Sequence, residues 1–243
     1  MKQKEPFHVV YEDNHLIIVN KSAGVLVHED ITKDKTLEDY VKEYLKNKYN
    51  KPGDVFLGTI HRLDRPVSGL VVFAKTSKAL TRMNELFRKR HVQKTYWAIT
   101  FKKPVKNSGR LVHWLKKDTV ANKVSAHDTE VQDSQKAELD FRYLGNINKY
   151  HLIEVSPITG RPHQIRVQLA SIGCTIKGDV KYGSPKANHD SSINLHARRI
   201  YFIHPVKNEP IICKAPVPEQ PFWEEFLELD DEEIKIENLG YIH

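Results

Sequence analysis

The stretch HRLDRPVSGLVVFAK, residues 61–75, sets one carboxylate, Asp64, between Arg62 and Arg65, continues through Pro66, Ser68 and Gly69, and passes directly into an apolar run. Flanking cations favour the ionised carboxylate, while Pro and Gly fix the backbone where the chain enters a strand. The reading is a charged aspartate positioned at a strand edge. A structural ion pair in a turn satisfies the same pattern, so the rest of the chain must separate the two.

Upstream, FHVVYE (7–12) and HLIIVN (15–20) flank the turn formers Asp13 and Asn14 and predict a β-hairpin. In TLEDYVKEYLKNKY (36–49), Leu37, Tyr40, Val41, Tyr44 and Leu45 recur at helical spacing behind Thr36 as N-cap. Downstream, GLVVFAK (69–75) is a strand, Ser77–Arg88 a helix with Leu80, Met83 and Phe87 on one face, and KTYWAITF (94–101) a further strand. The polar residues 102–135 predict only short strands and loops, with strand character returning in KAELDFRYL (136–144) and YHLIEVS (150–156). A helix then begins with Pro162 as its first residue, buries Ile165, Leu169 and Ile172, and stops at Gly173. Strands at 195–203 and 210–214 precede a last helix in PFWEEFLEL (221–229) and an acidic tail. Many strands and few helices in irregular order predict an α+β fold with a mixed, largely antiparallel sheet, in one domain spanning residues 1–243.

At 243 residues, 40% of them apolar, the chain is long enough to bury a substantial core. No apolar run approaches the roughly 20 residues of a membrane helix, and MKQKEPFHVV lacks the features of a signal peptide, so a soluble cytoplasmic protein is expected. Cys174 and Cys213 form no CxxC pair, and the 13 histidines show no HExxH or comparable ligand spacing; no disulfide framework and no metal site is expected. The formal charge of +7 is uneven, because residues 224–237 carry a net −7 and the remainder +14. Basic clusters at RKRHVQK (88–94), KKPVK (102–106), Lys116–Lys117 and Arg198–Arg199 lie among Tyr96, Trp97, Phe101 and Trp114. Cations for phosphates and aromatic faces for unpaired bases point to a nucleic acid partner.

Three further segments join the opening one: KTYWAI around Tyr96, TGRPHQIRVQLA (159–170) and LHARRIYFIHP (195–205), with the loop GDVKYG (178–183) between the last two. In this order they resemble the RluA family of RNA pseudouridine synthases, and the resemblance runs from about residue 8 to residue 216. It implies the fold of that family with an active-site cleft, and isomerisation of specific uridines in structured RNA, ribosomal or transfer, without cofactor or metal. It also implies catalytic roles for Asp64 as nucleophile, Tyr96 on the base and Arg166 as the ion-pair partner of Asp64, with Arg62 or Arg65 in reserve. Arg62, Arg65, Arg161, His163 and Leu195 are the implied substrate-binding residues, Arg62 filling the gap left by an extruded base and Leu195 forming pocket wall. Asp179 reads as a loop residue rather than a second catalytic carboxylate.

Two segments depart from the family pattern: KSAG has Ser22 where proline is usual, and Pro66-Val67 replaces Asp-Thr before Ser68. Both fall in loops and leave Asp64, Tyr96 and Arg166 in place. The small N-terminal RNA-binding domain of some relatives is not expected, since the first strand begins almost at once, and a monomer is expected. Two rivals remain. A noncatalytic RNA-binding module would keep the fold without the site, and a glycoside or nucleoside hydrolase would need two working carboxylates and room for water.

Overall fold

The first chain reversal is set by Asp13, whose carboxylate accepts the backbone N–H groups of His15 and Leu16, each at 2.8 Å. The strands on either side, β1 (Phe7–Glu12) and β2 (Leu16–Lys21), pair antiparallel. The computed structural model describes residues 5–29 and 33–230, so the acidic tail beyond Asp230 lies outside the described residues. In α1 (Leu37–Lys48), Thr36 and Asp39 form a capping box, and Leu37, Val41 and Leu45 make the buried stripe. The two-residue β3 (Gly58–Thr59) leads to β4 (Ser68–Ala74), buried at every position, then α2 (Ser77–Arg88) and β5 (Gln93–Thr100).

Residues 102–135 differ from the expectation of short strands. β6 (Ser108–Asp118) is an 11-residue strand pairing with β7 (Lys123–His127) on one side and β8 (Gln135–Ile147) on the other. Its inward positions Leu111, His113 and Leu115 alternate as a strand requires, but a histidine in mid-stripe hides the period of two. His113 is tolerated there because Gln168 Nε2 lies 3.0 Å from its Nδ1.

β9 (Tyr150–Pro157) leads to α3 (Gln164–Ser171), and here the start differs from expectation. Pro162 precedes the helix instead of opening it, because His163 takes a left-handed conformation (φ 53°) as N-cap. The Gln164 side chain holds that loop: Oε1 accepts from Thr159 Oγ1 (2.7 Å) and Arg161 N (3.0 Å), and Nε2 donates to Glu138 O (2.9 Å). A 3-10 turn (Val180–Tyr182), β10 (Leu195–Ile203) and β11 (Pro210–Lys214) follow, and the last helix is one turn of α4 (Pro221–Glu224) continued as 3-10 to Leu229.

Among the described residues the strands form one sheet in the order β1-β2-β4-β10-β5-β9-β8-β6-β7, with β11 on β10 and β3 on β4. Every pairing is antiparallel except β4 with β10. The centre is covered on both faces. Ile17, Val19, Val71 and Phe73 pack with the buried stripe of α1, while Leu16, Ile18, Leu70 and Val72 pack with Ala79 and Met83 of α2. That double burial explains why β2 and β4 read as unbroken apolar runs. No helix among the described residues is long and apolar enough to cross a membrane.

The parallel contact depends on a missing side chain. Gly69 has φ +115°, and a Cβ there would sit 2.4 Å from both the N and the O of Ala197 on β10. Gly69→Ala is expected to cost about 3 kcal/mol through strain and overlap with backbone that cannot yield. Thermal unfolding should show a fall of roughly 10 °C in Tm; an unchanged Tm would mean that β4 and β10 can part without loss.

Candidate active site

Asp64 lies in the loop entering β4, and that loop is fixed from behind by the KSAG segment. Lys21, 1% exposed, donates through Nζ to the carbonyls of Ser22 (3.0 Å), Val25 (2.8 Å) and Arg65 (3.2 Å), and Gly24 N donates to Arg65 O at 2.8 Å. The Asp64 carbonyl accepts from Val67 N at 3.0 Å, and the Pro66 carbonyl from Ile193 N at 3.1 Å. Backbone bonds on both sides therefore leave the Asp64 side chain little positional freedom.

The expectation that the flanking arginines hold Asp64 is corrected. Arg65 points away from the carboxylate: its Nε donates to Gly24 O at 3.0 Å, its Nη1 is 2.9 Å from Asp34, and it is absent from the cleft wall. Arg65 and Pro66 form the turn closed by the bond from Val67 N to Asp64 O, and Arg65 leaves that turn towards Gly24 and Asp34, so sequence neighbours need not be spatial partners. Arg62, two residues from Asp64, is exposed and lines the cleft. The partner of Asp64 is Arg166 from α3, whose Nη1 donates to Oδ2 at 2.8 Å.

Arg166 is bound from two directions. Its Nε and Nη2 donate to the two oxygens of Asp179 at 2.7 and 2.9 Å, leaving Nη1 for Asp64. Burial works against the guanidinium charge, but the hydrogen bonds and charge of Asp179, followed by those of Asp64, outweigh it and hold the Arg166 pKa above its usual value. The two carboxylates differ in access. The Asp179 side chain is 1% exposed and that of Asp64 29%, so one is sealed against the cation and the other opens into the cleft. Asp64 Oδ1 has no hydrogen-bond partner among the described residues.

The same loop that carries Asp179 also sets His163. Tyr182 Oη accepts from Val124 N at 2.9 Å and lies within hydrogen-bond distance, 2.7 Å, of His163 Nδ1, while His163 Nε2 lies 3.9 Å from Asp64 Oδ2. Burial lowers the His163 pKa, and the ring is neutral at neutral pH. The Tyr182 ring also lies 5.1 Å from the Arg166 guanidinium carbon.

These groups border a cleft of about 350 Å³. Its walls include Tyr96 from β5, Leu195 at the start of β10, and Arg161 and His163 ahead of α3. Burial, then the nearby charge of Asp64, raises the Tyr96 pKa, so its phenol stays protonated. Arg161 is exposed, with Nε donating to Lys136 O at 3.2 Å. Asp64, Arg166, Tyr96, Arg62, Arg161, His163 and Leu195 thus meet in one place, and Arg65 does not join them.

Sequence reasoning missed Lys21, Tyr182, Lys94, His61 and Phe87. Lys94, His61 and Phe87 line the cleft, and Lys94 carries a readable signal, standing two residues before Tyr96 and so on the same strand face. The basic cluster Arg198–Arg199 is not free surface charge. Arg198 is 4% exposed, donates to Ala215 O, pairs with Asp230 at 2.7 Å and lies over the fully buried Trp97 ring; Arg199 pairs with Glu154 and Asp230.

A family profile described as RNA pseudouridylate synthase matches residues 15–171. Tyr96, Arg166 and Asp64 all fall within it. The chain is 32% identical to tRNA pseudouridine synthase C of Vibrio parahaemolyticus over 93% of its own length and 97% of the relative's. It is 33% identical to ribosomal large subunit pseudouridine synthase C of Vibrio vulnificus over 87% of its own length and 66% of the relative's. Among solved structures, human RNA pseudouridylate synthase domain containing 4 superposes with a TM-score of 0.74 at 25% identity, covering 91% of this chain and 92% of that one.

Removing the sealed partner should harm the fold more than removing the open one. Asp179→Asn strands the buried Arg166 charge and is expected to cost about 3–5 kcal/mol, whereas Asp64→Asn should lower Tm far less; equal losses would contradict the assignment of Asp179 as the structural anchor. A second expectation concerns pH. Burial, aided by Lys94, pushes His61 from 6.5 down to about 3, so the unfolded chain takes up a proton that the folded one refuses. Its contribution to stability is fully present above about 6.5 and is lost progressively as pH falls towards 3. Urea midpoints across this range should decline with acid, and His61→Gln should flatten the decline.

Proposed function

We propose that this chain, which belongs to the RNA pseudouridylate synthase family, converts particular uridines of structured tRNA or rRNA to pseudouridine, with Asp64 as the nucleophile. The observation that carries the reading is a carboxylate tied to Arg166 by one oxygen, its other oxygen without a hydrogen-bond partner among the described residues, on the wall of a cleft shared with Tyr96. An anion in that position can attack C1′ of a uridine seated in the cleft. As the Asp64–C1′ bond forms, the N1–C1′ bond breaks and its electron pair stays on the uracil. The base turns, C5 bonds to C1′ as the carboxylate leaves, and the C5 proton is lost while N1 is protonated. Reactant and product are isomers, so the scheme needs neither redox equivalents nor an added group.

The other residues take supporting roles. Tyr96 stacks on the uracil, and its protonated hydroxyl donates a hydrogen bond or relays a proton; it is no resting base. Arg62 and Arg161, exposed at the cleft, meet phosphates, and Arg62 fills the gap in the stack left by the extruded base. Extrusion costs about a few kcal/mol of unstacking, least where pairing is already interrupted, which favours a loop or bulge uridine. Leu195 closes the wall beside the base, and His163 sets its Nε2 edge beside Asp64. Arg65 supports the loop through Gly24 and Asp34. The similarity that spans nearly all of a tRNA pseudouridine synthase favours tRNA as the first substrate to examine.

Against the hydrolase alternative stands the sealed Asp179, which has both oxygens on Arg166 and no access for water. Pseudouridines should be mapped in tRNA and rRNA from cells with and without the gene, and loss of at least one site is expected. On RNA carrying that site, labelled with tritium at uridine C5, Asp64→Asn should release no tritium while binding RNA within a few-fold of wild type; turnover near wild type would remove Asp64 from its role.

A further inference from the structure

The cleft holds a cation that the isomerisation leaves unused. Lys94 and Tyr96 leave the same face of β5, about 7 Å apart along the strand, and both line the cleft. The other buried cations are compensated internally: Arg166 by Asp179 and Asp64, Arg198 by Asp230, and Lys21 by three carbonyls. Lys94 is half-buried, yet among the described residues it makes no ion pair and no side-chain hydrogen bond; its contact is the Phe87 ring, 5.6 Å from Nζ. Its other neighbour is no anion either. His61 stacks on Phe87 (5.0 Å, 22°) and accepts Val72 N–H at Nε2 (3.1 Å), a neutral imidazole. Withdrawing an ammonium from water is unfavourable without a counter-charge, and burial duly lowers the Lys94 pKa. Among the described residues nothing supplies that counter-charge.

The surroundings indicate where it enters. Lys94 also borders a second, smaller groove of about 230 Å³, lined by Arg90, Gln93, Thr95, Asp140 and Ser156 among others. Asp140, the acid of that groove, is held by Arg110 through two bonds of 2.7 and 2.8 Å, so Arg90 and Lys94 supply the charge left uncompensated. Cleft and groove meet at Lys94 and Pro157.

We infer that Lys94 receives the backbone phosphate adjoining the uridine seated on Tyr96, and that the RNA strand leaves the cleft along the groove beside Arg90. The inference rests on the proposed reading of the cleft as a uridine site. Lys94 is a substrate-binding residue here, acting on the phosphate and not on the reacting atoms.

The test uses Lys94→Met, which keeps the apolar stem, and Lys94→Arg, which keeps the charge. For a short oligouridylate, the slope of log affinity against log salt should become shallower by about 0.7 in Lys94→Met, the share of one phosphate on a single strand. On a hairpin carrying the mapped uridine, KM should rise about tenfold with kcat little changed, and Lys94→Arg should recover part of the loss. Substituting an uncharged methylphosphonate for the phosphate on the 5′ or the 3′ side of that uridine should impose the same loss on wild type at one of the two positions, and no further loss there on Lys94→Met. The Tm of Lys94→Met should equal or exceed that of wild type, where a structural lysine would lower it. An unchanged salt slope, or methylphosphonate losses equal in both proteins at both positions, overturns the inference. If wild type binds oligouridylate but isomerises no uridine, the enzymatic reading fails instead, and the salt slope still decides whether Lys94 meets a phosphate.

Discussion

The site depends on one buried guanidinium shared between two carboxylates. Removing Arg166 from water would be prohibitive alone, and the bidentate bond to Asp179 compensates most of that cost while fixing the plane of the group. Asp179 takes two of the five guanidinium N–H groups, and Nη1, which Asp179 does not engage, donates to Asp64 Oδ2. The second oxygen of Asp64 is left without a hydrogen-bond partner among the described residues, and Asp64 lines the cleft. A single Asp–Arg pair could satisfy itself with two bonds; the third member prevents it. Asp179 governs the geometry without facing the cleft.

The sheet explains how residues distant in sequence reach this arrangement. β4, β10 and β5 are adjacent at the centre, and the cleft takes Asp64 from the loop entering β4, Leu195 from the first residue of β10 and Tyr96 from β5. The parallel β4–β10 step brings the starts of those two strands to the same edge, with Gly69 allowing the close backbone approach. α3 then delivers Arg166, and the loop after it returns with Asp179 and Tyr182 to hold the charge and the imidazole from behind. Lys21 serves the same end from β2, joining the KSAG and HRLDR loops through carbonyl oxygens. The replacement of proline by Ser22 in KSAG is tolerable because the bracing comes from Lys21 and the backbone of Gly24.

What could be read from sequence follows from the range of the interactions involved. α1 and α2 were legible because caps and apolar stripes are local, and β10 and β11 because short apolar strands end at turn residues. β6 was not, since His113 occupies an inward position whose polar partner, Gln168, is 55 residues away. Pro162 was misplaced because the start of α3 is set by the long-range bond from Gln164 to Glu138 as much as by local preference. At the site, ordered motifs singled out Asp64, Tyr96 and Arg166, which the fold brings to one cleft. The neighbours of Asp64 in sequence were mistaken for its neighbours in space, and Arg65 shows the error. Tyr182 sat within a quoted motif, but its hydroxyl acts on a histidine 19 residues earlier, which no spacing rule reveals.

Charge count is a poor guide to where RNA would lie, and the location of the paired charges is a better one. Arg198, Arg199 and Lys214 converge on Asp230 and are neutralised within the fold, on the side of β5 occupied by Trp97. Tyr96, the next residue along the strand, faces the cleft, where Arg62, Arg161 and Lys94 remain without internal carboxylate partners among the described residues. This distribution answers a difficulty inherent in the proposed chemistry. In that scheme an anionic nucleophile must approach a polyanion, and Coulomb repulsion between Asp64 and the phosphates flanking a uridine would oppose the encounter. On the proposed reading, Arg166 offsets the charge of Asp64 from one side, and three cations at the cleft would meet phosphates before they come near the carboxylate. On the proposed reading, the excess of positive charge at the cleft therefore contributes more than affinity: it offsets the repulsion between the Asp64 carboxylate and an RNA backbone.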